Sequence, residues 1–295
     1  MTTTTPRRTP MQCAGHGRKP GPCGRAMATP ARRAPERPVV RLALAGVAAL
    51  LLSLSCSCAL VTRLGRVPRG PVPGEAWRVP RLGMEFVWIE QLGIWVGKYE
   101  VTNAEYRRKE PRHSVEECEG HDLNGDMQPV TEVTWNDVCA FAVWLTARER
   151  AAGRLPAELR YRLPTEKEFM AYAQCGDNRK YPWGNTWPPR SGQAGNYADR
   201  TASASFPKSD VIEEYSDGHK VSCDVAEDWA NPWGLVGVGG NAWECCATGD
   251  GEKQSFGAWR GASWANASWL PCSYRIDYYS SRPNSVGGFR LALSR

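Results

Sequence analysis

Tyr161-Arg-Leu-Pro-Thr-Glu-Lys-Glu-Phe169 changes character in its middle. Pro164 crowds the helical conformation of the residue before it, so Leu163 ends an extended segment. Thr165 then starts a helix, because its hydroxyl can accept from the backbone N–H of Glu168 while the Glu168 carboxylate reaches back to Thr165. Phe169, Tyr172 and Ala173 share one face of that helix. The stretch is therefore a strand stop joined directly to a helix start.

Working towards the N-terminus, Thr134 caps a second helix in which Val138, Phe141, Ala142 and Leu145 recur at helical spacing, up to Gly153. Thr102 caps a shorter one at Asn103-Ala-Glu-Tyr-Arg. Met84–Glu90 and Ile94–Glu100 are apolar and β-prone on either side of Gly93, which predicts a hairpin. Working towards the C-terminus, the helical signal ends after Cys175. From Tyr181 to Arg295 the chain is rich in Trp, Gly, Asn, Asp and Ser, the composition of loops and short strands. With 42% hydrophobic residues and 13 Trp, the core is large, and 29 Gly with 22 Pro exclude a helical bundle.

Charge is unevenly placed. Residues 1–41 hold nine Arg or Lys against the single Glu36, which leaves the remainder close to neutral although the whole chain carries +6. A basic head before a near-neutral body is an export pattern and leaves little for a basic nucleic-acid groove to rest on, so no nucleic-acid partner is expected. Leu42–Leu54 is apolar but shorter than a membrane span, as suits a signal core. Ser53-Leu-Ser-Cys56 resembles a lipoprotein cleavage box, with Cys56 as the lipid attachment point. The expected organisation is an export signal over 1–55, a Pro/Gly tether over 56–81 and one domain over 82–295. The chain is expected as a monomer in the cell envelope, held to the membrane by a lipid anchor.

Of 11 cysteines, Cys13 and Cys23 lie in the head, and eight remain besides Cys56: Cys58, Cys118, Cys139, Cys175, Cys223, Cys245, Cys246 and Cys272. Their spacing contains no CxxC and is not that of a zinc site. Disulfides are compatible with export, and the sequence leaves their connectivity open.

Nine fragments now appear in order: Glu100-Val-Thr-Asn103, Pro129-Val-Thr-Glu-Val-Thr-Trp135, Tyr161–Phe169, Tyr181-Pro-Trp-Gly184, Asn196-Tyr197, Asn231-Pro-Trp-Gly-Leu235, Gly239-Gly-Asn-Ala-Trp-Glu244, Trp259-Arg-Gly-Ala-Ser-Trp264 and Gly288-Phe-Arg290. Together they resemble the sulfatase-modifying factor, or formylglycine-generating enzyme, family from about residue 82 to the C-terminus. The resemblance implies an α+β, elaborated C-type lectin-like fold with little regular secondary structure. It also implies structural calcium, at Gly240, Asn241 and Glu244 and at Asn196 with the acidic stretch around Asp217. The local alternative for Gly239–Glu244 is a turn with Trp243 plugging the core.

The family's enzymes resemble one another in two cysteines, three and eight residues after the serine of Arg-Gly-x-Ser, that hold copper(I). Here Asn266 and Pro271 stand at those positions after Ser263, and Cys272 is one residue off. An amide and a lone thiolate do not make a two-thiolate site for a soft ion, so an oxidase with Cys272 as its catalytic thiol would need Cys245 or Cys246 to swing in. His113, His121 and His219 are widely separated, which speaks against the iron-dependent branch.

Ala265–Val286 mixes Asn, Ser, Tyr and Asp without period, as adaptable contact surfaces do. It resembles the variable region of retroelement-diversified proteins built on the same scaffold. The expected function is ligand binding, to protein or glycan, by Trp264, Asn266, Ser268, Trp269, Asp277, Tyr279, Ser280 and Asn284. The alternative is a copper-dependent formylglycine-generating oxidase acting on a sulfatase cysteine. Ordinary packing of Tyr274 and Tyr278 inside the domain is the plainer reading of the same segment.

Overall fold

A computed structural model describes residues 70–207, 209–249, 256–267, 271–279 and 283–295. The expected hairpin is present: strand β2, Glu85–Ile89, pairs antiparallel with β3, Ile94–Gly97, in the register Phe86↔Gly97 to Ile89↔Ile94. A further strand, β1 at Trp77–Arg78, pairs with Phe86 and Glu85 ahead of it. Trp77 and Val79 are buried. The folded domain therefore reaches N-terminal of Leu82, and the Pro/Gly composition of 71–80 hid a strand that is stabilised by its partner and not by its own propensity.

Each of the three expected helices begins where its threonine stands. Helix α1 (Asn103–Tyr106), α2 (Trp135–Ala151) and α3 (Glu166–Ala173) are capped by Thr102, Thr134 and Thr165, each in a complete capping box with Glu105, Asp137 and Glu168. Two orphan N–H groups are satisfied at each start, an arrangement for which removing the cap residue alone costs about 1 kcal/mol. Gly153, at φ 68°, follows the end of α2. A one-turn helix α4, Arg200–Ser203, is capped by Asp199.

Five more strands form in the loop-rich half: β5 (Trp243–Ala247), β6 (Phe256–Arg260), β7 (Arg275–Tyr279), β8 (Gly287–Gly288) and β9 (Ala292–Ser294), with β4 at Arg160–Arg162 ahead of α3. They complete a five-stranded sheet in the order β1-β2-β3-β9-β4 and build a four-stranded one in the order β7-β6-β5-β8. Phe86, Trp95, Phe141, Leu145 and Phe289 join the first sheet to α2 in the main apolar cluster. Phe141 and Phe289 meet at 5.6 Å between ring centroids. Full burial of each such ring stabilises by roughly 2–3 kcal/mol. A second cluster joins Val96 and Ala292 to Phe169, Tyr172, Cys246 and Cys272. Among the described residues no helix is long and apolar enough to cross a membrane.

Candidate functional site

Two buried polar clusters and one exposed strand edge collect the residues of interest. The first cluster centres on Arg290, which is completely buried. Its Nε and Nη2 donate to the two oxygens of Glu244 at 3.1 and 3.0 Å, Nη2 also donates to Val236 O at 2.7 Å, and Nη1 donates to Gly97 O and Lys98 O at 2.9 and 2.8 Å. Tyr172 adds its hydroxyl to Glu244 at 3.1 Å. Glu100 lies close by and accepts from Ala242 N–H at 3.1 Å. Burial pushes its carboxyl well above the usual range, reinforced by Asp228 and Glu244 and opposed by Arg290. Gly237, at φ 71°, gives Glu100 its room, since a Cβ there would stand 2.7 Å from Glu100 Oε2.

The second cluster is acidic. Asn196 N–H donates to Asp228 Oδ1 at 3.1 Å, Tyr197 N–H to Asp217 Oδ2 at 2.9 Å, and His219 N–H to Asp217 Oδ1 at 2.8 Å. Asp199 caps α4 and accepts from Asp217 N–H. Asn196 Nδ2 donates to Asn241 Oδ1 at 3.1 Å, and Gly240 abuts the Asn196 backbone. Two buried oxygens in this cluster, Asn196 Oδ1 and Asp228 Oδ2, have no hydrogen-bond partner. Burial pushes the carboxyls of Asp217 and Asp228 up to about 7, with Asp199 and Asp228 adding to the rise at Asp217.

The five residues expected at calcium thus divide. Asn196, Asp217, Gly240 and Asn241 come together, whereas Glu244 is neutralised by Arg290 and Asn241 Oδ1 already accepts from Asn196 and from Cys223 N–H. Asn196 Oδ1 and Asp228 Oδ2 are the unpartnered hard oxygens here, and with the Asp217 carboxylate, whose two oxygens already accept from Tyr197 and His219 N–H, they are the residues that could hold a calcium-like ion. Glu244, with both oxygens committed to Arg290, does not fit. Among the described residues no three His, Cys, Asp or Glu side chains converge as a metal-binding group.

The C-terminal contact set is dispersed. Trp264 is 1% exposed and its ring packs 5.8 Å from Phe206, so it belongs to a third apolar cluster and not to a contact face. The sequence signal is misleading here because a flanking Ser-Trp looks the same whether the ring points in or out. Asn266 Oδ1 accepts from Ser263 N–H at 3.0 Å and Ser263 Oγ–H at 2.8 Å, closing its own turn. Asn284 Oδ1 likewise accepts from Val286 N–H at 2.9 Å. Asp277 is exposed on β7 and pairs with Arg275 at 2.6 Å. Tyr279 ends β7, its backbone opposite Phe256. Ser268, Trp269, Ser280 and Cys56 lie outside the described residues. Tyr274 and Ile276 are 44% and 42% exposed; the Tyr274 ring lies 5.9 Å from that of buried Trp243, so it covers the core from outside and is not inside it.

The thiols are deep. Cys272 is 2% exposed, and burial pushes its thiol up to about 12. Cys245 and Cys246 are fully buried in β5, between β6 and β8; Cys245 belongs to the main apolar cluster, whereas Cys246 shares the second cluster with Cys272. Cys139, Cys175 and Cys223 are also free, and Cys118 is disulfide-bonded. Cavities of about 550 Å³ lie elsewhere, one along α2 and β4 beside Cys139, Val143 and Leu163, another beside Pro71, Trp88 and Pro156. Neither includes Cys272 or the acidic cluster.

Two small sheets wrapped by long ordered loops, with few helices, define an α+β domain of the elaborated C-type lectin-like type. Residues 73–295 match the sulfatase-modifying factor enzyme 1-like domain, and the chain belongs to that family. It is 38% identical over 120 residues to the formylglycine-generating enzyme of Thermomonospora curvata, covering 40% of this chain and 33% of that one. It is 34% identical over 177 residues to the inactive C-alpha-formylglycine-generating enzyme 2 of Mus musculus, covering 56% and 49%. The matched regions therefore span half or less of these relatives. Among solved structures, PvdO from Pseudomonas aeruginosa superimposes with a TM-score of 0.55 at 18% identity, over 77% of this chain and all of that one. Treponema denticola variable protein 1 does so with 0.50 at 19%, over 68% and 84%. At these identities the likeness is one of fold.

Proposed function

We propose that this chain is an envelope-anchored, ligand-binding member of the family that does not oxidise sulfatase cysteines. Its contact face is made by β7 and the loops around it, with Tyr274, Ile276 and Asp277 presented to a protein or glycan. The observation that carries this reading is the state of the thiols. Asn266 and Pro271 occupy the positions where the resemblance implies copper ligands, and the one cysteine nearby is buried with its thiol pushed up to about 12. A thiol so hard to ionise is a poor ligand for a soft cation. That one relative is named inactive agrees with loss of the chemistry inside this family.

Asn196, Asp217 and Asp228 hold calcium in this reading, as a structural ion. Cys56 carries the lipid, and the Asn, Ser, Tyr and Asp content of 265–286, on a fold shared with a neighbour named a variable protein, suits a diversified surface. The discriminating experiment incubates the protein with copper(I) and a peptide bearing a sulfatase cysteine motif. No aldehyde and no stoichiometric thiolate–copper absorption are expected. Aldehyde formation that disappears in Cys272→Ser would establish the oxidase instead. For diversification, a near-copy of the DNA for residues 256–295 beside a reverse transcriptase, differing at adenines, is the expected genomic mark.

A further inference from the structure

The end of helix α3 brings a second thiol to the segment that carries Cys272. After Ala173 the chain enters left-handed backbone at Cys175, φ 48°, and at Gly176, φ 72°. Glycine adopts that conformation freely and cysteine does not, so its side chain is held there against a backbone cost. Gln174 Nε2 donates to Arg179 O at 3.0 Å and Asp177 N–H to Gln174 O at 3.1 Å, which folds 174–179 into a closed loop. The next carbonyl, Lys180 O, accepts from Cys272 N–H at 2.8 Å. The loop that begins at Cys175 is thus bonded, at its exit, to Cys272 itself.

Two more ties converge on the same place. Cys175 Sγ–H donates to Tyr172 O at 3.5 Å, and Cys272 shares an apolar cluster with Phe169, Tyr172 and Ala173 of that helix. Arg179 lies within electrostatic reach of both sulfurs, and the Cys175 sulfur within reach of Cys272. By contrast Cys223 is held against Asn241, Cys139 faces the cavity beside α2, and Cys246, though in the cluster of Cys272, is sealed from any oxidant at 0% exposure whereas Cys175 is half-buried.

We propose that Cys175 and Cys272 are a cross-linking pair, whose disulfide staples the C-terminal contact segment to the end of helix α3. The oxidant is a small disulfide such as oxidised glutathione. Burial pushes both thiols up, so the exchange is slow at neutral pH and quickens as pH rises; half-buried Cys175 gives its proton to solvent, attacks as the thiolate, forms a mixed disulfide and expels one small thiolate. Cys272, giving up its proton, then attacks the Cys175 sulfur and expels the second. Two protein S–H bonds become one S–S bond, the small disulfide is reduced to two thiols, and these take up the two protons. The bond needs Cα atoms within about 7 Å, so the left-handed Cys175–Gly176 turn is the joint that adjusts. The staple rests on the export reading, because a reducing cytosol keeps such thiols free. Its consequence for binding is pre-organisation: a contact segment fixed before the ligand arrives loses less freedom on binding.

The test is disulfide mapping. The full chain, incubated with oxidised glutathione and digested without reduction, should yield one linked peptide pair containing Cys175 and Cys272. Cys175→Ala, at a half-buried site, should abolish it and leave Cys272 alkylatable after denaturation. Reduction should lower Tm by roughly 5–10 °C more in the wild type than in the Cys175→Ala variant, which keeps the Cys118 disulfide and loses only that one. Two unlinked thiols under these conditions, or a linkage of either cysteine to a different partner, overturns the proposal. Neither result depends on finding a ligand, so failure here leaves the binding reading standing, and a mapped staple in a protein that forms aldehyde would sink that reading alone.

Discussion

Two polar clusters lie side by side in this domain, and only one of them is electrically complete. Around Arg290 every N–H of the guanidinium has an acceptor, Glu244 is matched by it, and Glu100 is pushed towards its neutral form. Around Asn196 the carboxylates of Asp199, Asp217 and Asp228 are gathered without a side-chain cation bonded to them among the described residues, and two buried oxygens are left over. A closed cluster has nothing to offer a ligand and serves to tie β3, β5 and the segment before β9 together. An open one has stored acceptors that a proton or a metal ion can use.

Breaking the closed cluster carries the largest expected effect. Arg290→Met leaves Glu244 buried without its partner, and chemical denaturation should show a loss of about 4 kcal/mol. The open cluster should respond to pH instead. Asp217 and Asp228 have folded-state pKa values near 7, above the ordinary carboxylate value of 3.8. Protons therefore bind the folded state more tightly, so their stabilisation is fully present below about pH 4 and is lost as pH rises through 7. In chelator, Tm should fall by roughly 5 °C between pH 5 and pH 8. Millimolar calcium should restore it at pH 8 and change little at pH 5, and Asp228→Asn should flatten both responses. A calcium response equal at the two pH values, or one retained in Asp228→Asn, would remove the ion from this site. The smallest effect belongs to the strand edge: Asp277→Ala should move stability by under about 0.5 kcal/mol while weakening ligand capture.

Much of the first half of the domain is legible in the sequence because its signals are local. Thr102, Thr134 and Thr165 each cap a helix with an acid three residues on, and Gly93 sits at the turn between two β-prone runs. The closed cluster is harder to see. Arg290 meets Glu244 across 46 residues and Gly97 across 193, and no periodicity encodes such pairings. Asp199 holds a cap position ahead of Arg200-Thr-Ala-Ser, but a single turn has no apolar spacing to mark it as a helix. Asp228 and Cys175 carry no sequence signal of their own, since an acid or a cysteine acquires its role from what long loops place beside it. Trp264 shows the converse: residue type suggests a contact, and only the location of Phe206 reveals that the ring is inside.

The position of β9 sets a condition on how this chain can be made. Ala292–Ser294 lies between β3 and β4, strands that precede it by more than a hundred residues, and without it the five-stranded sheet falls into two unconnected pieces. Growth from the ribosome runs from the N-terminus, so the sheet cannot close until Ala292–Ser294 has emerged. Premature closure is thereby blocked by topology: the β1-β2-β3 piece and β4 stay separate until Ala292–Ser294 comes between them.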